Sequence, residues 1–149
     1  MCHRQSGFSI LELMLVVALV AVVGAIAVPA YQGVVDRTNA SRAVADIGAL
    51  SLQLYRWQTN TGAFPPDLAA AALDGRLDPW GRPYVYLELS GARRGDVRRD
   101  KNLVPINTDF DLYSVGKDGD TATALTARQS RDDIVRANNG GYIGRAEDY

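Results

Sequence analysis

A chain of 149 residues with a formal net charge of −1 amounts to one domain or less, and no strong field argues for nucleic acid. Its only cysteine is Cys2 and its only histidine is His3, both upstream of a long apolar run. Disulfides, zinc sites with Cys or His ligands, and Ser-His or Cys-His catalytic pairs are therefore closed to the rest of the chain.

The first element is GFSILELMLVVALVAVVGAIAVPAY, Gly7 to Tyr31. No charged residue occurs between Glu12 and Asp36, and Leu13 to Val28 is almost wholly Leu, Val, Ala and Ile. At about 1.5 Å per residue, Phe8 to Val28 spans roughly 30 Å, the thickness of a hydrocarbon core. A buried soluble helix competes poorly, because no polar face exists along the run. Three membrane readings compete. A secretory signal would use Arg4 as its basic region and Ala25-Ile26-Ala27 as its cut, but Glu12 sits early in its apolar region and Pro29 close behind the cut. A plain anchor would let Glu12 snorkel to the interface. A third reading takes Glu12 and Pro29 as functional.

The helix continues past Pro29, whose missing amide hydrogen predicts a bend or local melting. Asp36, Arg37 and Asn39 mark emergence into water. Ala40, Ala43, Val44, Ile47, Leu50, Leu54 and Trp57 then recur at steps of three and four, with Arg42, Asp46, Gln53 and Arg56 between them. Asn60-Thr61-Gly62 breaks the pattern before Phe64-Pro65-Pro66. Phe8 to Asn60 makes a helix of roughly 80 Å, apolar all round in its first half and one-sided in its second.

Short elements follow. Asp67 to Leu73 reads as a brief helical turn. Pro79 and Gly81 suit a tight turn, and Tyr84 to Leu89 has strand composition. Arg93, Arg94, Arg98 and Arg99, interspersed with Asp96 and Asp100, read as a solvated loop between Ser90 and Asn102. Asp109 to Ser114 alternates polar and apolar like a half-buried strand. The sum is an α+β fold: one long helix, a two- or three-stranded antiparallel sheet on its apolar stripe, and a loop-rich C-terminus. Trp57, Trp80, Tyr84, Tyr86, Phe110 and Tyr113 read as core.

Gly116, Asp118, Gly119 and Asp120 form an acidic turn, with Asp132 and Asp133 returning before Ile134. The spacing is not that of an EF-hand. Carboxylates and carbonyls around a glycine turn suit either a calcium cage, which tolerates irregular geometry, or ordinary turn-forming aspartates.

Gly7-Phe8-Ser9-Ile10-Leu11-Glu12-Leu13 resembles the class III signal motif of type IV pilins and type II secretion pseudopilins. Asp78-Pro79-Trp80-Gly81-Arg82-Pro83-Tyr84 resembles the DPWG-x-x-Y signature of major pseudopilins. Phe110 to Gly119 and Asp133-Ile134 are similar to later segments of the same proteins. The resemblance implies a leader of residues 1–7 cut by prepilin peptidase between Gly7 and Phe8, with methylation of the new Phe8 amine. It implies a membrane and assembly half at 8–35, where Pro29 matches a helix-bending proline, and a periplasmic body at 36–149. One departure is Ala21, where the family frequently has a glycine.

Several expectations follow from the resemblance. The chain is a structural subunit, not an enzyme: single-pass in the bacterial inner membrane, surrounded by lipid before assembly. It then polymerises into a periplasmic helical homopolymer through non-closing contacts. Its further partners are minor pseudopilins and an inner-membrane assembly platform, and no nucleic acid. Glu12 is the assembly residue, its carboxylate meeting the Phe8 ammonium of a neighbouring subunit. That pairing relieves an insertion cost of about 2.5–3.5 kcal/mol for an acid in lipid. Calcium would be held by Asp118 and Asp133, with Asp132 as competitor and carbonyls near Ser114 in support. Against the family pattern, Thr121 to Arg131 is long, lacks glycines and carries Arg128 and Arg131. The alternatives are a type IV pilin or minor pilin for adhesion, motility or DNA uptake, and a periplasmic enzyme or binding protein released by ordinary signal cleavage.

Overall fold

The computed structural model describes residues 9–149. The processing pair, Gly7 and Phe8, lies outside the described residues. Helix α1 runs from Ile10 to Thr61, 52 residues, and the strands are β1 (Val85–Glu88), β2 (Phe110–Ser114), β3 (Ile134–Ala137) and β4 (Tyr142–Arg145). Contacts divide the chain into two units, Met1–Arg37 and Thr38–Tyr149.

Within the first unit, α1 starts on a reciprocal cap. The Ser9 hydroxyl accepts from the Glu12 amide at 3.2 Å, and the Glu12 carboxylate accepts from the Ser9 amide at 3.0 Å. This is a capping box, with two otherwise orphaned amides satisfied at the helix start. Every residue from Ile10 to Val23 is exposed, and a membrane-length window of the helix buries nothing in the protein. The residues on both sides of Pro29 stay helical, so the local melting predicted there is not seen. The proline removes only its own amide bond.

In the second unit the stripe forms as its spacing predicts. Ala43, Ile47, Leu50 and Leu54 are fully buried, and they pack with Leu68, Leu73, Tyr84, Phe110, Leu112 and Ile134 in one core. The sheet has four strands rather than two or three, antiparallel in the order β1-β2-β3-β4. Val85 pairs with Tyr113, Tyr113 with Val135, and Val135 with Gly144. The additional hairpin turns on Asn138, Asn139 and Gly140 at φ of 51°, 52° and 92°. Asparagine and glycine are the residues that accept this left-handed backbone at little cost. Asp67 to Leu73 forms turns but no helix, closed by the Leu73 amide on the Leu68 carbonyl.

A second cluster of Ile106, Leu125, Val135, Ala137 and Ala146 closes the other side of the sheet. Polar burial is concentrated around two arginines. Arg136 on β3 is 1% exposed and grips both oxygens of Asp109, at 2.9 and 2.6 Å. It also donates to the Phe110 carbonyl and to the Tyr55 hydroxyl, tying α1 to the sheet within this unit. Burial works to raise the Asp109 pKa. The bonds from Arg136, the Phe110 amide and Tyr55 outweigh it, holding the carboxyl below its ordinary range. A carboxylate with a depressed folded pKa contributes stability above its unfolded value, about 4. That contribution disappears as pH falls through the folded value. The stability gap between the parent and Asp109→Asn is therefore widest at neutral pH and closes below about pH 4. Denaturant titrations of both chains across that range measure it.

Candidate functional site

Two places carry the sequence-predicted functional residues: the start of α1 and the loops around Ser114. At the first, Glu12 is exposed and is the only charged side chain from Ser9 to Val35. The capping box gives its carboxylate a defined position over the first helical turn. The Ser9-x-x-Glu12 spacing is the sequence signal for this cap. Apart from the Ala25 carbonyl, which Pro29 leaves without an amide, backbone groups along the apolar run bond within the helix, so the Glu12 charge is the group here that lipid tolerates least.

At the second place, the Asp78-Pro79-Trp80-Gly81 turn is built on one buried carboxylate. Asp78 accepts the amides of Trp80 and Arg82 on one oxygen, at 3.0 and 2.9 Å. Its other oxygen accepts the Ser114 hydroxyl at 2.5 Å. Gly81, at φ +86°, supplies the left-handed residue the turn requires. Ser114, at the end of β2, is thus a buried strut joining the turn to the sheet.

The predicted calcium ligands are distributed differently from a cage. Asp118 is exposed and caps the Asp120 amide at 2.9 Å. Asp132 accepts the amides of Lys117 and Asp118 on one oxygen, at 2.7 and 3.0 Å. Asp133 is fully buried and pairs with Arg98 at 2.5 Å, while the Thr121 hydroxyl donates to the same oxygen at 2.6 Å. Its other oxygen has no protein partner. The Gly116 and Lys117 carbonyls, the nearest main-chain candidates after Ser114, accept from Arg82 at 2.6 and 3.3 Å. Among the described residues no group of three or more His, Cys, Asp or Glu side chains is placed to hold a metal. Calcium takes about six to eight oxygens. Here one oxygen of each of the three aspartates, and the Gly116 and Lys117 carbonyls, already accept from amides, a hydroxyl or guanidinium groups, which leaves fewer free oxygens among the named groups than calcium takes.

Arg98 is the functional-looking residue that sequence reading placed wrongly. Its run of arginines reads as a solvated loop, yet Arg98 is 2% exposed. Its guanidinium reaches Asp133 and the Thr121 hydroxyl and lies 4.1 Å from the Tyr113 ring centre. Burial pushes the Asp133 carboxyl up to about 6, with the Arg98 charge and the Thr121 and Arg98 hydrogen bonds pulling it back.

Comparison with known proteins bears on the start of the chain by motif and on the rest by overall likeness. The model described as the prokaryotic N-terminal methylation motif matches residues 2–28. The type II secretion system core protein G of Pseudomonas aeruginosa is 29% identical, over 78% of this chain and 87% of its own length. The core protein G of Escherichia coli is 28% identical, over 80% of this chain and 87% of its own. The type IV major pilin protein PilE of Neisseria gonorrhoeae is 26% identical, over 96% of this chain and 89% of its own. No solved structure matches. A methylation motif leading an exposed apolar helix, with this likeness along the body behind it, is what the chain has in common with type IV pilins and type II secretion pseudopilins.

Proposed function

We infer that the chain is a structural subunit of a type II secretion pseudopilus, polymerising through its N-terminal helix to drive protein export across an outer membrane. The observation that carries this reading is the exposed apolar start of α1, whose single charge is Glu12. An apolar helix start that is exposed along its length has two apolar environments available, lipid before assembly and copies of itself afterwards. The subunit waits in the inner membrane with residues 36–149 in the periplasm. Prepilin peptidase removes residues 1–7, and the assembly platform then feeds the helix into the filament, alongside minor pseudopilins. The subunit itself catalyses nothing.

Cleavage after Gly7 supplies the counter-charge that Glu12 lacks in lipid, the new Phe8 ammonium of an adjacent subunit. Pairing in a low dielectric stabilises both groups and fixes the axial register of the incoming helix. Pro29 leaves the Ala25 carbonyl without its helical amide, a soft point at which the helix adjusts to its neighbours. A type IV pilin is the second reading, favoured by the likeness to the Neisseria pilin over 96% of this chain. The Asp78-Pro79-Trp80-Gly81 turn, and a chain with no cysteine after Gly7 to close a disulfide, favour the pseudopilus.

N-terminal sequencing and mass measurement of the mature protein test the processing, and a deletion strain tests the role. The expected result is a chain beginning at methylated Phe8 whose loss stops secretion of folded cargo and leaves surface motility intact. A mature start at Val28 would overturn the filament reading. Lost motility with normal secretion would replace the pseudopilus by a surface pilus.

A further inference from the structure

We propose that this chain holds its C-terminal loops with cations of its own: the Arg98 and Arg82 guanidinium groups bind the carboxylate and carbonyl oxygens that a calcium ion would otherwise take. The two arginines divide the work. Arg98 reaches into the interior, where it bonds Asp133 at 2.5 Å and Thr121 at 2.7 Å. Its backbone amide donates to Asp111 at 2.8 Å. The loop from residue 90, β2, the loop at Thr121 and the start of β3 therefore meet on one positively charged residue. Tyr113 lies against the guanidinium, as suits a desolvated cation.

Arg82 does the same for the acidic turn. Its guanidinium lies across Gly119, where an added Cβ would come within 2.5 Å of Nη2. From there it reaches the carbonyls of Gly116 and Lys117. Gly116, at φ +68°, is equally confined, since a Cβ there would sit 2.6 Å from the Asp132 carbonyl oxygen. The turn is thus shaped around an arginine that comes from the Asp78 turn and is fixed there by its own amide on the Asp78 carboxylate. Both cations are covalently part of the chain. They cannot be removed by a chelator, and they carry a single charge in a planar fork that matches carboxylate and carbonyl oxygens directionally.

Thermal unfolding of the full chain in detergent, followed by near-ultraviolet circular dichroism, tests the proposal with millimolar calcium against excess chelator. Coincident midpoints are the expected result. A midpoint that rises with calcium and falls with chelator would overturn it, because a ligand that binds only the folded state must raise the midpoint. A second measurement tests the pairing itself. Arg98→Met and Asp133→Leu each lower the midpoint, and the double variant falls by clearly less than the two losses added, because neither leaves a lone buried charge once both are gone. Strict additivity would show that the two side chains act separately and would equally overturn the proposal. If either single variant fails to fold, the parent chain's calcium response alone decides.

Discussion

Glu12→Gln inserts into the membrane and keeps its helix start, yet assembles into filaments about two orders of magnitude less well than the parent chain. The size follows from the insertion cost of an acid in hydrocarbon, about 2.5–3.5 kcal/mol, which pairing with a neighbour's amine relieves. At about 1.4 kcal/mol per factor of ten, losing that relief weakens each addition roughly 100-fold. Glutamine is the informative replacement because it can also close a capping box, so the bond to the Ser9 amide survives while the charge goes. Ser9→Ala is the complementary variant. It removes the hydroxyl that holds the Glu12 amide, at a cost of about 1 kcal/mol in helix start, and leaves the carboxylate in place. Filaments counted by electron microscopy, normalised to membrane-inserted subunit, separate the two. Near-normal assembly of Glu12→Gln would remove the electrostatic role. An equal loss in Ser9→Ala would assign the effect to the geometry of the cap.

What could be read in advance follows the range of the interactions involved. The apolar run and the stripe of Ala43, Ile47, Leu50 and Leu54 are local patterns, and each forms as its spacing demands. The β3–β4 hairpin is missing from the sequence reading: Asn139-Gly140 lies between two short runs, a standard signal for a reversing turn, but Arg136 and Arg145 inside those runs disguise their strand character. The Glu12 cap was readable from the Ser9 spacing. Arg98 was not. Its partners at 111, 113, 121 and 133 come from separate loops and strands, and nothing in the residues beside it distinguishes it from exposed Arg93 and Arg94. The same holds for the aspartates: Asp132 and Asp133 are adjacent in sequence, yet one serves backbone amides and the other a buried guanidinium. Sequence identifies the acidic turn; the long-range partners decide what its acids do.

Phe110→Ala removes the most heavily shared ring of the body and is expected to cost about 3–5 kcal/mol. Phe110 is fully buried at the start of β2, with ring centres of Phe64, Tyr86 and Tyr55 at 4.9, 5.6 and 5.8 Å. The Arg136 guanidinium lies 4.0 Å from its centre, so one side chain touches α1, the segment after it, β1 and β3. Truncation opens a cavity beside a buried ion pair, and the surrounding rings cannot all collapse into it without leaving their contacts with α1. For a body of this size the loss corresponds to a midpoint lowered by roughly 10–25 °C. Near-ultraviolet circular dichroism of the full chain in detergent reports it, since the apolar start of α1 contributes no aromatic ring between Ser9 and Ala30. Phe110→Leu keeps most of the volume and loses a smaller part of this stability. A fall of only a few degrees in the alanine variant would mean that the ring does not join helix and sheet as described. Membrane insertion should be unchanged in both variants, because it depends on the first unit alone; the alanine chain therefore reaches the membrane in normal amount and fails afterwards, when its body melts before assembly.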